Sequence, residues 1–518
     1  MISKQALQEF ANRRLDSFTW MKKLPREMIL EELNKLKVRP VFKGHDRWTH
    51  QLVCVWIGLC CPEFLFLLDM GLGKTAVMLD IMTQLIREGK IQRGLITVPR
   101  LVNFDSWMND TLAHSELELN IADGSIEDKL EALRNPIGDI TVIDYHGLQL
   151  ALCSKANIKG KMKLIRDDRK IGMVRPNFQL FTMDETHKAK NKDTLRFSML
   201  RHLTKPMDYR FGLTGTPFGR FPMDLWAQFF LIDRGSTFGE HIGTFQEVFF
   251  NAKSNGFGKD YEFDKSQSRY LYRCLQHRSI RYSEDEVPEI EMPKKTERKE
   301  MVKFADDQRK HYLEAVNGLL DVKGNRQELD NAFLRLRQIT SGYLSWKDVE
   351  DEKHTIFFKH NSKLDALERI VDESGDCKLV VSTEFTPSGR LCVERITGMG
   401  HKVEWLYGGS KDPRECVRRF KEDPSIKVLV MNSESGGTGT DGLQNVANYL
   451  VFYECPPSPI TRKQTLKRVY RPGQLKRTFI IDIVMERSSD LRMLKFIAEG
   501  EDLHQSVVNG RIRREDLI

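Results

Sequence analysis

Cysteine is sparse and scattered in this sequence. Nine occur among 518 residues, Cys60 and Cys61 form the only close pair, and none stands at C-x-x-C spacing. That argues against a zinc site or disulfide framework and for reduced thiols in a cytosolic setting. Long apolar runs are missing too; none approaches the ~20 residues that a membrane helix needs, so no membrane partner is expected. The opening MISKQALQEFANRRLD lacks an apolar signal core, so no export is expected. There are no repeats, no low-complexity tract and no Pro/Gly/Ser-rich linker. Charge of one sign is not dominant. The net +8 tilts only mildly towards a polyanionic partner, since many proteins this basic bind no nucleic acid.

What is present is an alternation of short apolar strands with helical stretches, and it occurs twice. Strand candidates in the first half are Phe64 to Asp69, Gly94 to Val98, Ile140 to Asp144, Gln179 to Asp184 and Tyr209 to Thr214. In the second half they are Lys378 to Ser382, Lys427 to Met431, Tyr449 to Tyr453 and Thr478 to Val484. Continuous apolar runs suit strands buried on both faces of a parallel sheet. The expected fold is therefore α/β, with two doubly wound parallel-sheet lobes. Between Gly235 and Trp346 the strand signal fades, and FADDQRKHYLEAVNGLLDV and LDNAFLRLRQI read as helices. The expected division is a helical preface (1–40), a first lobe (41–234), helical insertions and a connection (235–346), a second lobe (347–490) and a helical tail (491–518).

Asp69 to Thr75 reads DMGLGKT, after an apolar strand and before the helical run AVMLDIMTQLI. This order is what a phosphate cradle requires. Gly71 and Gly73 free the backbone to point N–H groups at phosphate oxygens, and the helix N-terminus adds its dipole. Lys74 supplies a charge to the β- and γ-phosphates, and the Thr75 hydroxyl would ligate magnesium. Leu68 stands where the strict phosphate-loop pattern has its first glycine. Met70, Leu72 and Ala76 complete the expected ATP contacts. At the end of a later strand, FTMDETH offers Asp184 as metal ligand and Glu185 as general base for the attacking water. His187 is a candidate relay between nucleotide and track sites, although for it alone a satisfied polar contact at a strand end is the better reading.

DMGLGKT, DETH and LTGTP (Leu213 to Pro217) together resemble, in order, the motifs of superfamily-two helicases. GLITVPRLVNFDSW is similar to the segment carrying the first track contacts, and HQLVCVWIGL to the segment whose glutamine, here Gln51, reads adenine. SESGGTGTDGLQNVANYLVFYECPPSP, QTLKRVYRPGQ and HNSKLDALERIVDESGDCKLVVSTEF narrow the resemblance to Swi/Snf-type DNA translocases. The similarity runs from about Val41 to Ile483. It departs from the family pattern at DETH, at the missing asparagine after LTGTP, and at Tyr470 and Pro472. The resemblance implies two RecA-like lobes, ATP and magnesium, and a monomeric motor on double-stranded DNA. A compact form without reader modules suggests the cytoplasm of a bacterial or phage-infected cell. Single-stranded DNA and RNA stay open as tracks, and a strand-separating or annealing helicase as the alternative activity, whereas intact Lys74, Asp184, Glu185, Arg468 and Arg471 argue against a scaffold that binds DNA without turnover.

The resemblance also implies roles for particular residues. Arg468 and Arg471, three apart and so expected on one helical face, would reach the γ-phosphate as arginine fingers. Gly439 would join the ATP site. Thr214, Thr216 and Gln464 would couple it to the track. Track contacts would come from Arg100, Asn103 and Trp107 in the first lobe, and from Ser382, Thr383, Gly409, Ser410 and Thr438 in the second. Lys155 to Lys170 carries seven Lys/Arg against two Asp. It reads either as a loop touching the duplex backbone or as a solvated charged loop.

Overall fold

Strands buried on both faces must be apolar along their whole length, and those are the strands that form the middle of each sheet. The structure, a computed structural model, describes residues 17–36, 46–99, 103–215, 222–254, 259–321, 326–347, 352–433 and 442–498. The chain divides into two units between Ile290 and Glu291.

The strands of the first unit are β1 (Glu63–Leu68), β2 (Gly94–Val98), β3 (Leu119–Ile121), β4 (Ile140–Asp144), β5 (Cys153–Ile158), β6 (Lys161–Arg166), β7 (Leu180–Asp184), β8 (Tyr209–Thr214), β9 (Phe250–Ser254), β10 (Lys259–Phe263) and β11 (Ser279–Tyr282). Seven of them form one sheet in the order β11-β1-β8-β7-β2-β4-β3, every neighbouring pair parallel. Its two faces carry separate apolar clusters. Leu65, Phe181 and Met183 lie on one, and Phe64, Phe66, Ile96 and Phe211 on the other, all fully buried. β5 with β6, and β9 with β10, are antiparallel hairpins outside the sheet.

In the second unit the strands are β12 (Lys295–Val302), β13 (Tyr343–Lys347), β14 (Lys353–Phe357), β15 (Lys378–Thr383), β16 (Lys402–Leu406), β17 (Ile426–Asn432), β18 (Ala447–Phe452) and β19 (Thr478–Met485). Six form a second all-parallel sheet in the order β12-β19-β18-β15-β17-β16. A helical cluster built on Tyr312, Val316, Leu336 and Ile339 packs with Met493 and Phe496. The expected pair of doubly wound α/β lobes is thus what the chain forms. Among the described residues no helix is long and apolar enough to cross a membrane.

Two expectations need correction. The segment 235–346 is not simply helical. It contains helices Ile242–Phe249, Ser268–Arg278, Asp306–Asp321 and Arg326–Thr340, but also β9 to β13. Of these, β11 completes one edge of the first sheet and β12 one edge of the second. β12 reads KTERKEMV, mostly exposed, because an edge strand needs no continuous apolar run. The stretch Lys155 to Lys170 is not a loop. It is most of the β5–β6 hairpin followed by helix Asp168–Val174.

Candidate active site

β1 carries the chain into the glycine loop. Gly71 (φ 88°) and Gly73 (φ 73°) take left-handed conformations open to glycine without strain. Helix Lys74–Arg87 then starts at Gly73, which gives it no side-chain cap, so its first turn presents N–H groups to an acceptor from outside. Lys74 Nζ donates to the Leu68 carbonyl at 3.1 Å, and Thr75 is half-buried beside it in the first turn. Leu72 turns its side chain into the core, so only its backbone faces the loop. Its carbonyl accepts from Gln51 Nε2 at 3.3 Å and contacts His50 Nε2 at 2.9 Å. Gln51 Oε1 accepts the Trp48 N–H at 2.9 Å. A methyl group on Gly73 would collide with the Gln51 amide. Gln51, expected to read adenine, is here buried against the loop with both ends of its amide bonded inside the protein.

β7 ends at Asp184, and Glu185 follows at φ 53°, a left-handed conformation costly for a glutamate. The turn aims the two carboxylates differently. Asp184 Oδ2 accepts the indole N–H of Trp107 at 3.2 Å, and the Asp184 carbonyl accepts the Tyr145 hydroxyl at 3.0 Å. Glu185 Oε2 accepts the Thr214 hydroxyl at 3.1 Å and lies 3.3 Å from His187 Nδ1. Thr186, fully buried, donates to Gln228 Oε1 at 2.6 Å and anchors the turn. Burial and the charge of Glu185 push the Asp184 carboxyl above its ordinary range, against the pull of Lys74 and Trp107. Burial would raise Glu185 as well, but His187, Lys74 and Thr214 together outweigh it and hold Glu185 low. The two neighbouring carboxyls are thus shifted in opposite directions, Asp184 up and Glu185 down. Thr75 and Asp184 supply the hydroxyl and carboxylate oxygens that magnesium takes beside nucleotide phosphates, so the residues present fit that ion.

The structure gathers Lys74, Thr75, Asp184, Glu185, His187 and Thr214 at the strand ends of the first sheet. Other expected site residues do not behave as the sequence suggested. Trp107 is 1% exposed and cannot meet a track. In helix Asn103–His114 the positions Phe104, Trp107 and Thr111 fall on the inward face by helical spacing, which turns the indole onto Asp184. Ser382 and Thr383, expected as track contacts, are also buried, because β15 lies in the middle of its sheet. Ser410 closes its own turn, donating to the Trp405 carbonyl at 3.2 Å and accepting the Tyr407 N–H at 3.0 Å. Gly409 is exposed. Arg100, Thr216, Thr438 and Gly439 lie outside the described residues, and Asn103 is described only as the first residue of its helix.

Arg468 and Arg471 do not share a helical face. Helix Pro459–Val469 ends before Arg471, since the residue preceding Pro472 is disfavoured in the α conformation. Arg468 is buried in the last turn, and Gln464 and Arg471 are half-buried. Gln474, which sequence reasoning passed over, fixes the turn that carries Arg471. Its Nε2 donates to the carbonyls of Ala447 at 2.9 Å and Val469 at 3.1 Å. Three other residues were missed. Glu454 is buried and accepts the N–H groups of Glu384 at 2.5 Å and Phe385 at 3.3 Å before helix Thr386–Gly398. Asn361 caps helix Ser362–Glu373, and the fully buried Lys363 pairs with Asp490 at 2.6 Å. For Glu454 the signal was only an acidic residue directly after the apolar run YLVFY; Asn361 and Lys363 lie in the polar stretch HNSKLD and carried none.

The family profile of the SNF2-related domain matches residues 19–354. The chain belongs to this family. Its relatives include the ATP-dependent helicase/translocase YwqA of Bacillus subtilis (strain 168), 23% identical across 90% of this chain and 49% of that protein. The chromatin structure-remodeling complex subunit snf21 of Schizosaccharomyces pombe is 24% identical across 82% of this chain and 36% of that protein. Protein p41 of Acyrthosiphon pisum secondary endosymbiont phage 1 is 24% identical across 74% of this chain and 80% of its own length. The chain spans about half the length, or less, of the first of these curated relatives. Among solved structures, the Sulfolobus solfataricus SWI2/SNF2 ATPase core in complex with dsDNA is similar at 20% identity and TM-score 0.40, covering 89% of this chain and 92% of that one. As an SNF2-family chain it carries the helicase-like ATPase motifs of that family, and the DMGLGKT and DETH segments lie within the matched residues.

Proposed function

We propose that this chain is an ATP-hydrolysing motor that moves along double-stranded DNA without separating its strands. The observation that carries the reading is the hub at Glu185. A single carboxylate receives Thr214 of the third motif and faces His187 of the second, in the field of Lys74 from the phosphate loop. Glu185 is the base for the attacking water, and Lys74 holds the phosphates. Asp184, oriented by Trp107, is the carboxylate that would hold magnesium with Thr75; the ion would neutralise charge on the transferring phosphoryl group. Thr214 and His187, both within reach of Glu185, register whether that carboxylate is engaged. Arg468 and Arg471 are the proposed arginine fingers, and Gln474 holds the turn of Arg471. The relatives named as a helicase/translocase and as a chromatin-remodeling subunit support DNA as track. Nine scattered thiols, all free, suit a cytoplasmic setting. The test is ATPase activity with duplex DNA, single-stranded DNA and RNA at one salt concentration. Strongest stimulation by duplex DNA is expected. Stimulation by RNA alone, or unwinding of a blunt duplex, would replace the reading with a strand-separating helicase.

A further inference from the structure

The connection from β4 to β7 carries a feature that the ATP site does not use, the β5–β6 hairpin. Its base is tied into the first unit. Cys153 is buried, Leu164 packs against the core, Ser154 Oγ donates to Asp167 at 2.8 Å, and Arg166 donates to Ser198 Oγ at 2.7 Å and pairs with Asp168. The far end is different. The strands run out in register from Cys153↔Arg166 to Ile158↔Lys161 and turn on Lys159 (φ 53°) and Gly160 (φ 78°). Two successive left-handed residues make the tight hairpin turn whose twist matches that of the strands.

The charge at this end is uncompensated. Lys155, Lys159, Lys161 and Lys163 are exposed, no acidic residue occurs between Cys153 and Arg166, and none of the four has an ion-pair partner among the described residues. Arg166, at the base, is paired. Large apolar side chains are exposed among these lysines: Met162 is 64% exposed, Ile158 39% and Ile165 38%. Neither group stabilises the fold where it stands. A two-stranded hairpin with one anchored end gains little from four mutually repelling lysines and three wet apolar side chains. Both have a use against a surface that is regularly anionic with apolar edges between its charges. A two-stranded ribbon has the width that the major groove of a duplex admits, and lysines on its rim then meet the flanking phosphates.

We propose that the β5–β6 hairpin is a duplex-binding finger. Lys159, Lys161 and Lys163 grip the phosphates beside a groove, and Ile158, on the same face of the ribbon as Lys161 and Lys163, rests on the sugar and base edges within it. The inference rests on the DNA-motor reading and adds a contact outside the shared motifs. The finger adds grip without sequence readout, since phosphate contacts carry the charge term and the apolar side chains offer no hydrogen-bond code.

The test is the salt dependence of duplex binding for the parent protein and for the triple variant Lys159→Gln, Lys161→Gln, Lys163→Gln. Each lost phosphate contact lowers the slope of log K against log salt by about 0.9, so the variant should lose about 2 to 3 in slope. Its ATPase activity without DNA should match that of the parent, because the hairpin lies outside the ATP site. A photo-crosslinking benzoylphenylalanine at Ile158, in an otherwise unaltered chain, should crosslink to duplex DNA. An unchanged slope together with no crosslink, in a protein whose ATPase duplex DNA still stimulates, would overturn the finger and leave the motor. So would binding of the parent, but not the variant, to vesicles of anionic phospholipid while the DNA slope stays equal. A parent protein that duplex DNA neither binds nor stimulates would overturn both.

Discussion

Replacing Trp107 by phenylalanine isolates one hydrogen bond at the candidate metal site. The indole N–H meets Asp184 Oδ2 at 3.2 Å, and the ring is 1% exposed. Phenylalanine keeps an aromatic ring on the same inward face of helix Asn103–His114 and removes the donor. A hydrogen bond to a charged group contributes about 1.5 to 3 kcal/mol, and part of that loss would appear as a carboxylate free to rotate away from its metal-binding pose. Outer-sphere partners of this kind typically change metal affinity or activity by about 10- to 100-fold. Trp107→Phe should therefore raise the magnesium concentration for half-maximal ATPase by about that factor. The affinity for a fluorescent ATP analogue without magnesium should stay close to the parent value. The void left by the smaller ring should lower stability by about 1 to 2 kcal/mol, smaller than a truncation to alanine. The assay is a magnesium titration of turnover, with and without DNA, beside a thermal melt. If the magnesium requirement is unchanged and only DNA affinity falls, Trp107 belongs to the track after all and its bond to Asp184 is incidental.

Glu185→Gln should keep ATP binding but lower turnover by about 10²- to 10⁴-fold, the range of a general base; a normal rate would return that role to a residue not yet identified. Arg468→Ala or Arg471→Ala should lower kcat by about 10³ or more with little change in ATP affinity, as for an arginine finger. Gln474→Ala should reproduce a milder form of the Arg471 defect, because the turn loses its ties to Ala447 and Val469; steady-state kinetics of both variants would show it. Lys363→Met should destabilise the second unit by about 3 kcal/mol, since it removes the buried cation paired with the half-buried Asp490 carboxylate. Denaturant melts should show part of that loss recovered when Asp490→Asn is added.

The strands that the sequence made legible are the interior ones of both sheets. Phe64 to Asp69 or Lys427 to Met431 must be apolar on two faces, and so stand out as runs. Within the two large sheets the strands it concealed, β3, β11, β12 and β16, are the edges. An edge strand such as KTERKEMV or KVEWL is held by one neighbour and can face water, so its composition looks like a helix or a loop. The site shows the same division. Lys74, Asp184 and Glu185 were legible because loop geometry and carboxylate chemistry demand those residue types at those places. The inward turn of Trp107, the burial of Ser382 and Thr383 and the helix end before Arg471 depend on rotation about an axis or on a boundary of a residue or two. Motif order alone does not fix either.

Movement along an intact duplex can be followed by the displacement of a third strand. A triplex-forming oligonucleotide is bound at one end of a long duplex, ATP is added, and both the third strand and the pairing of the duplex are followed. ATP-dependent release of the third strand is expected while the duplex stays paired. Release should fail for Lys74→Ala, and ATPase stimulation should rise with duplex length to a plateau. Release of the third strand without ATP hydrolysis, or separation of the duplex itself, would contradict it.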